Sequence, residues 1–321
     1  SPPPCGYRMT PVIPQPTASR HPLRHHAFNL SNTPRVSLLV TDLDNTLWDW
    51  FEAWHSSFSA MLRRLSQLSE VPQRQLEREI QMVHRRRGTS EYSYLLNELP
   101  SLLRRNPHSQ PLKVYDDAIH VLNRERLRST KLYSGVLATL RELRRRKIPV
   151  VAYTESVAYW SEWRIRRTGL DGLIKVMYSS PDHDFPLGVS AHDLRTQPPD
   201  TYGLKVTAHK RVPPGILKPN TDVLKSILAD FSVPPKGAVY VGDSLMKDVA
   251  MAQELGVYDV YAQYGASQDR EGYDLLRRVS HWTQQDIERE RELSAQPTIT
   301  PSYVLSEGFS QLLSMFDFAE A

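Results

Sequence analysis

The sequence predicts an α/β protein built on a parallel β-sheet, with an all-helical segment inserted after the first strand. Short apolar runs rich in β-branched residues alternate with stretches of three- and four-residue hydrophobic spacing, as in β-α-β units. Between residues 52 and 130 this alternation stops and only helical spacing remains. Because β-α-β crossovers are right-handed and place helices on both faces, the expected core is a Rossmann-like sheet.

Length and composition exclude several classes of protein. The 321 residues suffice for about two domains with a sizeable core. No apolar stretch approaches the roughly 18 residues that a membrane-spanning helix needs, so we expect no membrane insertion. The single cysteine, Cys5, excludes an intrachain disulfide and a multi-cysteine metal site, and it favours a reducing compartment.

Charge is unevenly distributed along the chain. Lys and Arg outnumber Asp and Glu by 22 to 12 in residues 51–170, whereas residues 171–321 contain 14 against 21. A basic half could attract phosphorylated small molecules or nucleic acid. The basic clusters at 85–87 and 144–147 are interpreted first as solvated helix faces. Contact of the first cluster with an anionic substrate or a nucleic-acid end is the less favoured alternative.

The elements follow in order along the chain. Residues 1–34 hold eight of the 24 prolines and no acidic residue, which predicts a disordered arm. We expect a cytoplasmic protein, with organelle targeting by this arm left open. The first strand is Val36–Thr41, and from Trp50 onward the spacing predicts an amphipathic helix.

Further helices are predicted after Pro72, over residues 92–103 and over residues 114–127. Strand–helix alternation then resumes, with strands at 148–153, 174–178, 238–241 and 257–261 and a last strand and helix within 303–316. The proline-rich residues 181–214 are predicted to be a loop-rich excursion. The predicted domains are therefore a core of residues 35–51 and 131–321 and a helical insertion of residues 52–130.

Polar residues follow three of the predicted strands, where ligands bind in parallel sheets. Asp42 and Asp44 follow the first strand, Thr154 follows the second, and Asp243 follows a later one. Lys218 precedes a helix, and Asp248 lies five residues after Asp243. Several carboxylates at one edge repel each other unless a cation compensates, and carboxylates, waters and phosphate oxygens are the ligands that Mg²⁺ prefers. The sequence therefore predicts a Mg²⁺ site.

This ordered set resembles the haloacid dehalogenase superfamily of phosphohydrolases over roughly residues 36–265. The resemblance implies a HAD-like core with residues 52–130 as a cap that selects substrate. It further implies that Asp42 is the nucleophile that becomes an aspartyl-phosphate, and that Asp44 is the general acid and base. By the same resemblance Thr154 binds the phosphoryl group and Lys218 neutralises its charge. The implied Mg²⁺ ligands are Asp42, Asp243 and the backbone carbonyl of Asp44, with Asp248 supporting the metal shell.

Two features depart from the family pattern. Glu155 follows Thr154 where a neutral residue is usual, and an acid there is repulsive unless it faces a lysine, the metal or the leaving group. The long stretch from Thr154 to Lys218 also makes Lys210 a competitor for the lysine role, although Pro219 and the following helix favour Lys218. Trp48, Trp50 and Trp54 are interpreted as core aromatics, with stacking on a substrate ring as the alternative.

The predicted function is a Mg²⁺-dependent phosphatase that hydrolyses a small phosphorylated metabolite. Dehalogenation is disfavoured because a halide leaving group needs no proton donor, whereas Asp44 is present. A phosphotransferase or mutase using the same aspartyl-phosphate is the nearest alternative. A weakly catalytic nucleic-acid- or protein-binding member of the fold is another, although binding alone would not require Asp44 or Lys218.

Overall fold

A computed structural model describes residues 33–286, 288 and 299–320 of the chain. The described residues from Pro34 onward group into one compact unit. The strands are β1 (Arg35–Val36), β2 (Leu38–Thr41), β3 (Val150–Val157), β4 (Val176–Ser180), β5 (Ala208–Arg211), β6 (Ala238–Gly242), β7 (Tyr258–Ala262), β8 (Tyr303–Leu305) and β9 (Asp317–Phe318).

Seven of these strands form one sheet, in the order β5-β4-β3-β2-β6-β7-β8. Each neighbouring pair is parallel, as the predicted class requires. The strand of this sheet that comes first in the chain, β2, lies in its interior between β3 and β6. The chain adds β3, β4 and β5 on one side of β2 and then β6, β7 and β8 on the other side. In open α/β sheets, ligands bind at the point where the strand order reverses in this way.

The helices connect and cover these strands. They are α1 (Trp50–Ser69), α2 (Gln73–Arg87), α3 (Pro100–Arg105), α4 (Pro111–Val114), α5 (Asp116–Ser129), α6 (Val136–Arg145), α7 (Ala158–Arg167), α8 (Thr221–Asp230), α9 (Ala250–Leu255), α10 (Tyr273–Val279) and α11 (Leu312–Met315). No helix among the described residues is long and apolar enough to cross a membrane.

Both faces of the sheet are buried, which explains the continuous apolar runs of its central strands. Leu39 packs on one face against residues of α6 and α7, including Leu140 and Ile165. Leu38 and Val40 face the opposite way and pack against α8 and α9. Alternate residues of one strand thus bury against different helices.

A third apolar cluster lies in what we call the helical layer, formed by α1, α2, α5, the segment between α2 and α4, and α10. Its buried members include Phe58, Leu62, Leu65 and Ile80. Helix α10 contributes Leu276 although it follows β7 in the chain. The predicted boundaries 52–130 of the cap remain a prediction.

Three predicted elements differ from the structure. The helix expected over 92–103 is a 3₁₀ turn (Leu95–Glu98) followed by α3, because Pro100 has no N–H to donate within a helix but suits the first helical position. The first strand is interrupted at Ser37, whose N–H donates to Gly237 (2.8 Å), so that β1 pairs with β9 instead of joining the large sheet.

The loop-rich excursion 181–214 contains a strand, β5. Its residues are mostly exposed, so the sequence carries no apolar alternation there. The predicted arm, residues 1–34, lies outside the described residues except for Thr33 and Pro34, and most of the polar segment 283–298 also lies outside them.

Candidate active site

Asp42 directly follows β2 and lies at the carboxyl edge of the sheet. Its backbone N–H donates to the carbonyl oxygen of Val241 in β6 (2.8 Å), which extends the parallel pairing by one residue. Its carboxylate is buried, and the Thr46 hydroxyl donates to Oδ2 (3.3 Å). Gly242 ends β6, so the Asp243 side chain begins at the same edge. Asp42 and Asp243 therefore lie at the same edge of the sheet, as the sequence predicts.

Lys218 reaches this edge from the segment before α8 and binds two carboxylates. Its Nζ donates to Oδ1 of Asp42 (2.6 Å) and to Oδ1 of Asp248 (2.9 Å), and its side chain is 3% exposed. The Tyr240 hydroxyl also donates to Oδ1 of Asp248 (3.0 Å), and the Ser244 N–H donates to Oδ2 (3.2 Å). These charge-assisted hydrogen bonds compensate part of the cost of burying the ions.

Three carboxylates form a cluster at this edge that could hold a metal ion. Asp42, Asp243 and Asp248 each offer one oxygen, and these oxygens lie within 4.8 Å of one another. Burial raises the pKa of Asp42 to about 7, with Lys218 opposing the rise and Asp248 adding to it. Burial, together with the charges of Asp42 and Asp248, raises the pKa of Asp243 well above its usual range. Crowded, desolvated carboxylates of this kind fit a hard divalent cation.

Glycine is required at position 242 by the close approach of Asp248. A Cβ atom added at Gly242 would lie 2.2 Å from Cγ of Asp248. That distance is well inside van der Waals contact, so any side chain would displace the Asp248 carboxylate from Lys218. The glycine at the end of β6 therefore shapes the cluster.

The Asp44 carboxylate lies outside the three-carboxylate cluster and is held by different groups. The indole N–H of Trp48 donates to Oδ1 (2.6 Å), and the Ser156 hydroxyl donates to Oδ2. Arg164 Nη1 lies 3.6 Å from Oδ1. The resemblance assigns only the backbone carbonyl of Asp44 to the metal, so its carboxylate remains available for proton transfer.

Thr154 and Glu155 lie in β3, which continues past the predicted strand end to Val157. Thr154 is buried, and its hydroxyl oxygen accepts from the Ser156 N–H (3.1 Å). Glu155 accepts from the backbone N–H of Lys218 (2.7 Å) and pairs with Lys247 Nζ (2.5 Å). Burial would raise the pKa of Glu155, but Lys247 and Lys218 outweigh it and the pKa lies below its usual value. The unexpected acid thus faces a lysine, one of the arrangements that removes the repulsion.

Several other candidate residues lie elsewhere. Lys210, the competitor for the lysine role, is on β5 and pairs with Asp230. Trp54 is buried in the helical layer and stacks on Phe58, with ring centroids 5.0 Å apart. Trp48, by contrast, lies within the site, where it is buried and its indole N–H donates to Asp44 (2.6 Å). The position of Trp54 agrees with its interpretation as a core aromatic.

The arginine clusters form ion pairs near the surface. Arg86 and Arg87 both bind Glu98 (2.5 Å each), and Arg145 and Arg146 both bind Glu142 (2.7 Å each). The exposed Arg145 and Arg86 are typical of solvated helix faces, the first interpretation of these clusters, whereas Arg87 and Glu98 form a partly buried pair.

Sequence reasoning missed four residues that contact the predicted site. Ser156 and Arg164 contact Asp44, Tyr240 contacts Asp248, and Lys247 contacts Glu155. Ser156 and Lys247 lie within a few residues of recognised motif positions and could have been proposed from proximity. Arg164 lies on α7 among several other arginines, and the sequence contains no signal that separates it from them.

The fold and these contacts define the class of protein. The family model for haloacid dehalogenase-like hydrolases matches residues 36–256, which include every predicted site residue. The chain belongs to this family of hydrolases, and it is an enzyme of that class.

Individual relatives share a quarter or less of their residues with this chain. The chain is 24% identical over 262 residues to a glyceraldehyde 3-phosphate phosphatase from Methanopyrus kandleri, covering 80% of this chain and 95% of the relative. Among solved structures, a 2-haloacid dehalogenase from Pseudomonas syringae pv. Tomato matches at 19% identity and a TM-score of 0.49, covering 87% of this chain and 97% of that one. A HAD phosphatase from Thermococcus onnurineus matches at 17% identity and a TM-score of 0.44, covering 75% and 97%.

Proposed function

We propose that the protein is a Mg²⁺-dependent phosphatase that hydrolyses a small phosphorylated metabolite through an aspartyl-phosphate. The observation that carries the proposal is the pairing of Asp42 with Lys218 (2.6 Å) beside a second carboxylate, Asp44, that is held separately. Phosphoryl transfer needs an in-line nucleophile, positive charge near the phosphoryl oxygens and a proton donor for the leaving oxygen. Asp42 would be the nucleophile, Lys218 would supply the positive charge, and Asp44 would be the proton donor.

In the first step a carboxylate oxygen of Asp42 attacks phosphorus. The new bond forms between that oxygen and phosphorus while the bond to the ester oxygen breaks. Asp44 gives its proton to the departing oxygen, which leaves as an alcohol. Lys218 and the Thr154 hydroxyl donate to the phosphoryl oxygens as negative charge develops on them.

In the second step water hydrolyses the aspartyl-phosphate. Asp44, now ionised, takes a proton from the attacking water, and the oxygen of that water bonds to phosphorus. The bond between phosphorus and the Asp42 oxygen breaks, which releases inorganic phosphate and regenerates both carboxyl groups. One carboxyl group thus acts as acid and then as base, so no second proton carrier is needed.

The three-carboxylate cluster is where Mg²⁺ would bind. Asp42 and Asp243 would offer carboxylate oxygens, Asp44 its backbone carbonyl, and Asp248 would hold the shell through its contacts with Lys218 and Ser244. When bound, the ion would neutralise charge on the phosphoryl group and on the crowded carboxylates.

The substrate class follows from Asp44 and from the relatives. A proton donor placed beside the nucleophile serves an alkoxide leaving group, as in a phosphate ester, and a halide has no use for it. The name of the Methanopyrus kandleri relative, a glyceraldehyde 3-phosphate phosphatase, also supports a small phosphorylated metabolite. The helical layer would then choose among such metabolites.

Hydrolysis of p-nitrophenyl phosphate and of a panel of small phosphoesters tests this proposal, with Mg²⁺ and with EDTA. We expect phosphate release that requires Mg²⁺ and that is lost in Asp42→Asn. The matched control Asp117→Asn changes an exposed aspartate of α5 and should retain wild-type activity. Metal-independent turnover, or full activity in Asp42→Asn, would contradict the proposal. Transfer of the phosphoryl group to an added sugar phosphate in place of release would identify a phosphotransferase.

A further inference from the structure

Arg164 connects the helical layer to Asp44 through a chain of buried charges. The side chain of Arg164, on α7, is 3% exposed. Its Nη2 pairs with the Glu91 carboxylate, and its Nη1 lies 3.6 Å from Oδ1 of Asp44. Glu91 belongs to the segment between α2 and the 3₁₀ turn Leu95–Glu98, which packs in the helical layer. The charges therefore alternate from Glu91 to Arg164 to Asp44.

Nη1 of Arg164 is buried and has no hydrogen-bond partner within the described part of the chain. Buried donors are nearly always satisfied, so an exception beside an active site calls for an explanation, and a catalytic role is one of them. Oδ1 of Asp44 lies 3.6 Å from this donor, slightly beyond hydrogen-bond distance.

Glu91 is itself fixed against α7. The indole N–H of Trp160 donates to the Glu91 carbonyl oxygen (3.3 Å), and the Arg126 guanidinium lies 4.0 Å from the centroid of the Trp160 ring. Two elements of the helical layer thus hold the same turn of α7. The position of Arg164 depends on that docking.

We infer that Glu91 and Arg164 are positioning residues that orient the Asp44 carboxylate for proton transfer to the leaving group. This inference rests on the proposed function, in which Asp44 is the acid and base. Trp48 and Ser156 hold the two Asp44 oxygens from within the core, and Arg164 adds a contact that originates in the helical layer. The layer expected to select the substrate would then also set the orientation of the acid.

A merely structural role for this chain of charges predicts a different result. If Arg164 only holds α7 in place, its loss should slow all substrates by a similar factor. If it orients the acid, its loss should matter most for substrates whose leaving group needs a proton. Phenyl phosphate releases a more basic oxygen than p-nitrophenyl phosphate does, so the two probes separate these roles.

The experiment measures kcat and KM for both aryl phosphates in wild type, Arg164→Met, Arg164→Lys and Glu91→Gln. We expect Arg164→Met to lower kcat for phenyl phosphate about 100-fold and for p-nitrophenyl phosphate less than about 5-fold, with little change in KM. Arg164→Lys should lose less kcat for phenyl phosphate than Arg164→Met does. Glu91→Gln should lower kcat for phenyl phosphate about 10-fold and kcat for p-nitrophenyl phosphate less. Arg167→Met, an exposed arginine on the same helix, is the matched control and should behave as wild type.

Equal losses for both substrates, or no loss, would overturn the inference while the proposed function stands. Absence of Mg²⁺- and Asp42-dependent turnover in wild type would instead overturn the proposed function. Denaturation midpoints of all variants accompany the kinetics. If Arg164→Met does not fold, the substrate preference of Glu91→Gln and Arg164→Lys decides the question, because Gln keeps the shape of Glu91 and Lys keeps the positive charge of Arg164.

Discussion

The carboxyl edge of the sheet and the helical layer bury very different side chains. At the edge, Asp42, Asp248 and Lys218 are nearly inaccessible to water, and the pKa of Asp42 is raised by that burial. In the helical layer, aromatic and aliphatic side chains fill the interior, as Phe58 and Leu62 do. Burying charge costs free energy, whereas burying apolar surface releases it.

The difference separates function from stability. The edge carries like charges close together, an arrangement that does not stabilise the fold and that is typical of sites under functional constraint. The helical layer supplies cohesion through its apolar cluster. Substitutions at the edge should therefore change activity more than stability, and substitutions within the apolar cluster of the helical layer should do the reverse.

Removing the nucleophile is expected to have the largest effect. Asp42→Asn should lower kcat by about 10⁴-fold or more, because the proposed covalent intermediate cannot form. Its melting temperature should equal or exceed that of wild type, because repulsion with Asp243 and Asp248 is relieved while Lys218 stays paired with Asp248. A large loss of stability without loss of activity would break the comparison.

A cavity in the helical layer should have the opposite outcome. Leu62→Ala removes a fully buried side chain and should lower the free energy of unfolding by about 2–5 kcal/mol. Chemical denaturation measures this loss. Leu103→Ala, at an exposed position, is the control and should cost little. Kinetic constants of Leu62→Ala, measured well below its melting temperature, should stay within a few-fold of wild type, and a selective loss of kcat would contradict the division of roles.

A pH-dependent stability is expected from a buried histidine of the helical layer. Burial lowers the pKa of His84 to about 4, with His281 lowering it further and the hydrogen bond to Val279 (2.6 Å) and the charge of Glu91 opposing the change. Between pH 6.5 and pH 4 the unfolded chain binds more protons at this group than the folded one, so acidification destabilises the fold. From pH 7.5 to pH 5 this contribution is about 2 kcal/mol.

The measurement compares denaturation of wild type and His84→Gln at both pH values. The variant lacks the titrating ring, so its stability should fall less on acidification than that of wild type does. An identical fall in both proteins would assign the pH dependence to other groups.

The smallest effect is expected from a surface ion pair of the helical layer. Arg64 Nε donates to Asp117 (2.6 Å), and both side chains are substantially exposed. Asp117→Asn should change the free energy of unfolding by less than about 1 kcal/mol, and added salt should remove the difference. A larger, salt-resistant effect would contradict the treatment of this pair as a solvated surface contact.

The parallel sheet could be predicted from the sequence because its strands are apolar on both faces and alternate with amphipathic helices. The meeting of Asp42 and Asp243 followed from that class, since parallel strands end at one edge, whereas the place of Asp248 in the cluster was implied by the family resemblance. The edge strand β5 was missed because its side chains are mostly exposed and leave no pattern. Contacts such as Arg164 with Asp44 depend on how α7 packs, which residue spacing does not encode.

The most direct test of the account is to trap the phosphorylated enzyme. Asp44→Asn should still accept a phosphoryl group from p-nitrophenyl phosphate, whose leaving group needs little protonation, but it should lose the base for the second step. Acid quenching followed by mass spectrometry of the peptide that contains residue 42 should therefore show a phosphoryl group accumulating on Asp42. Continued turnover with no phosphoryl group on Asp42, or a phosphoryl group on a different residue, would contradict the account.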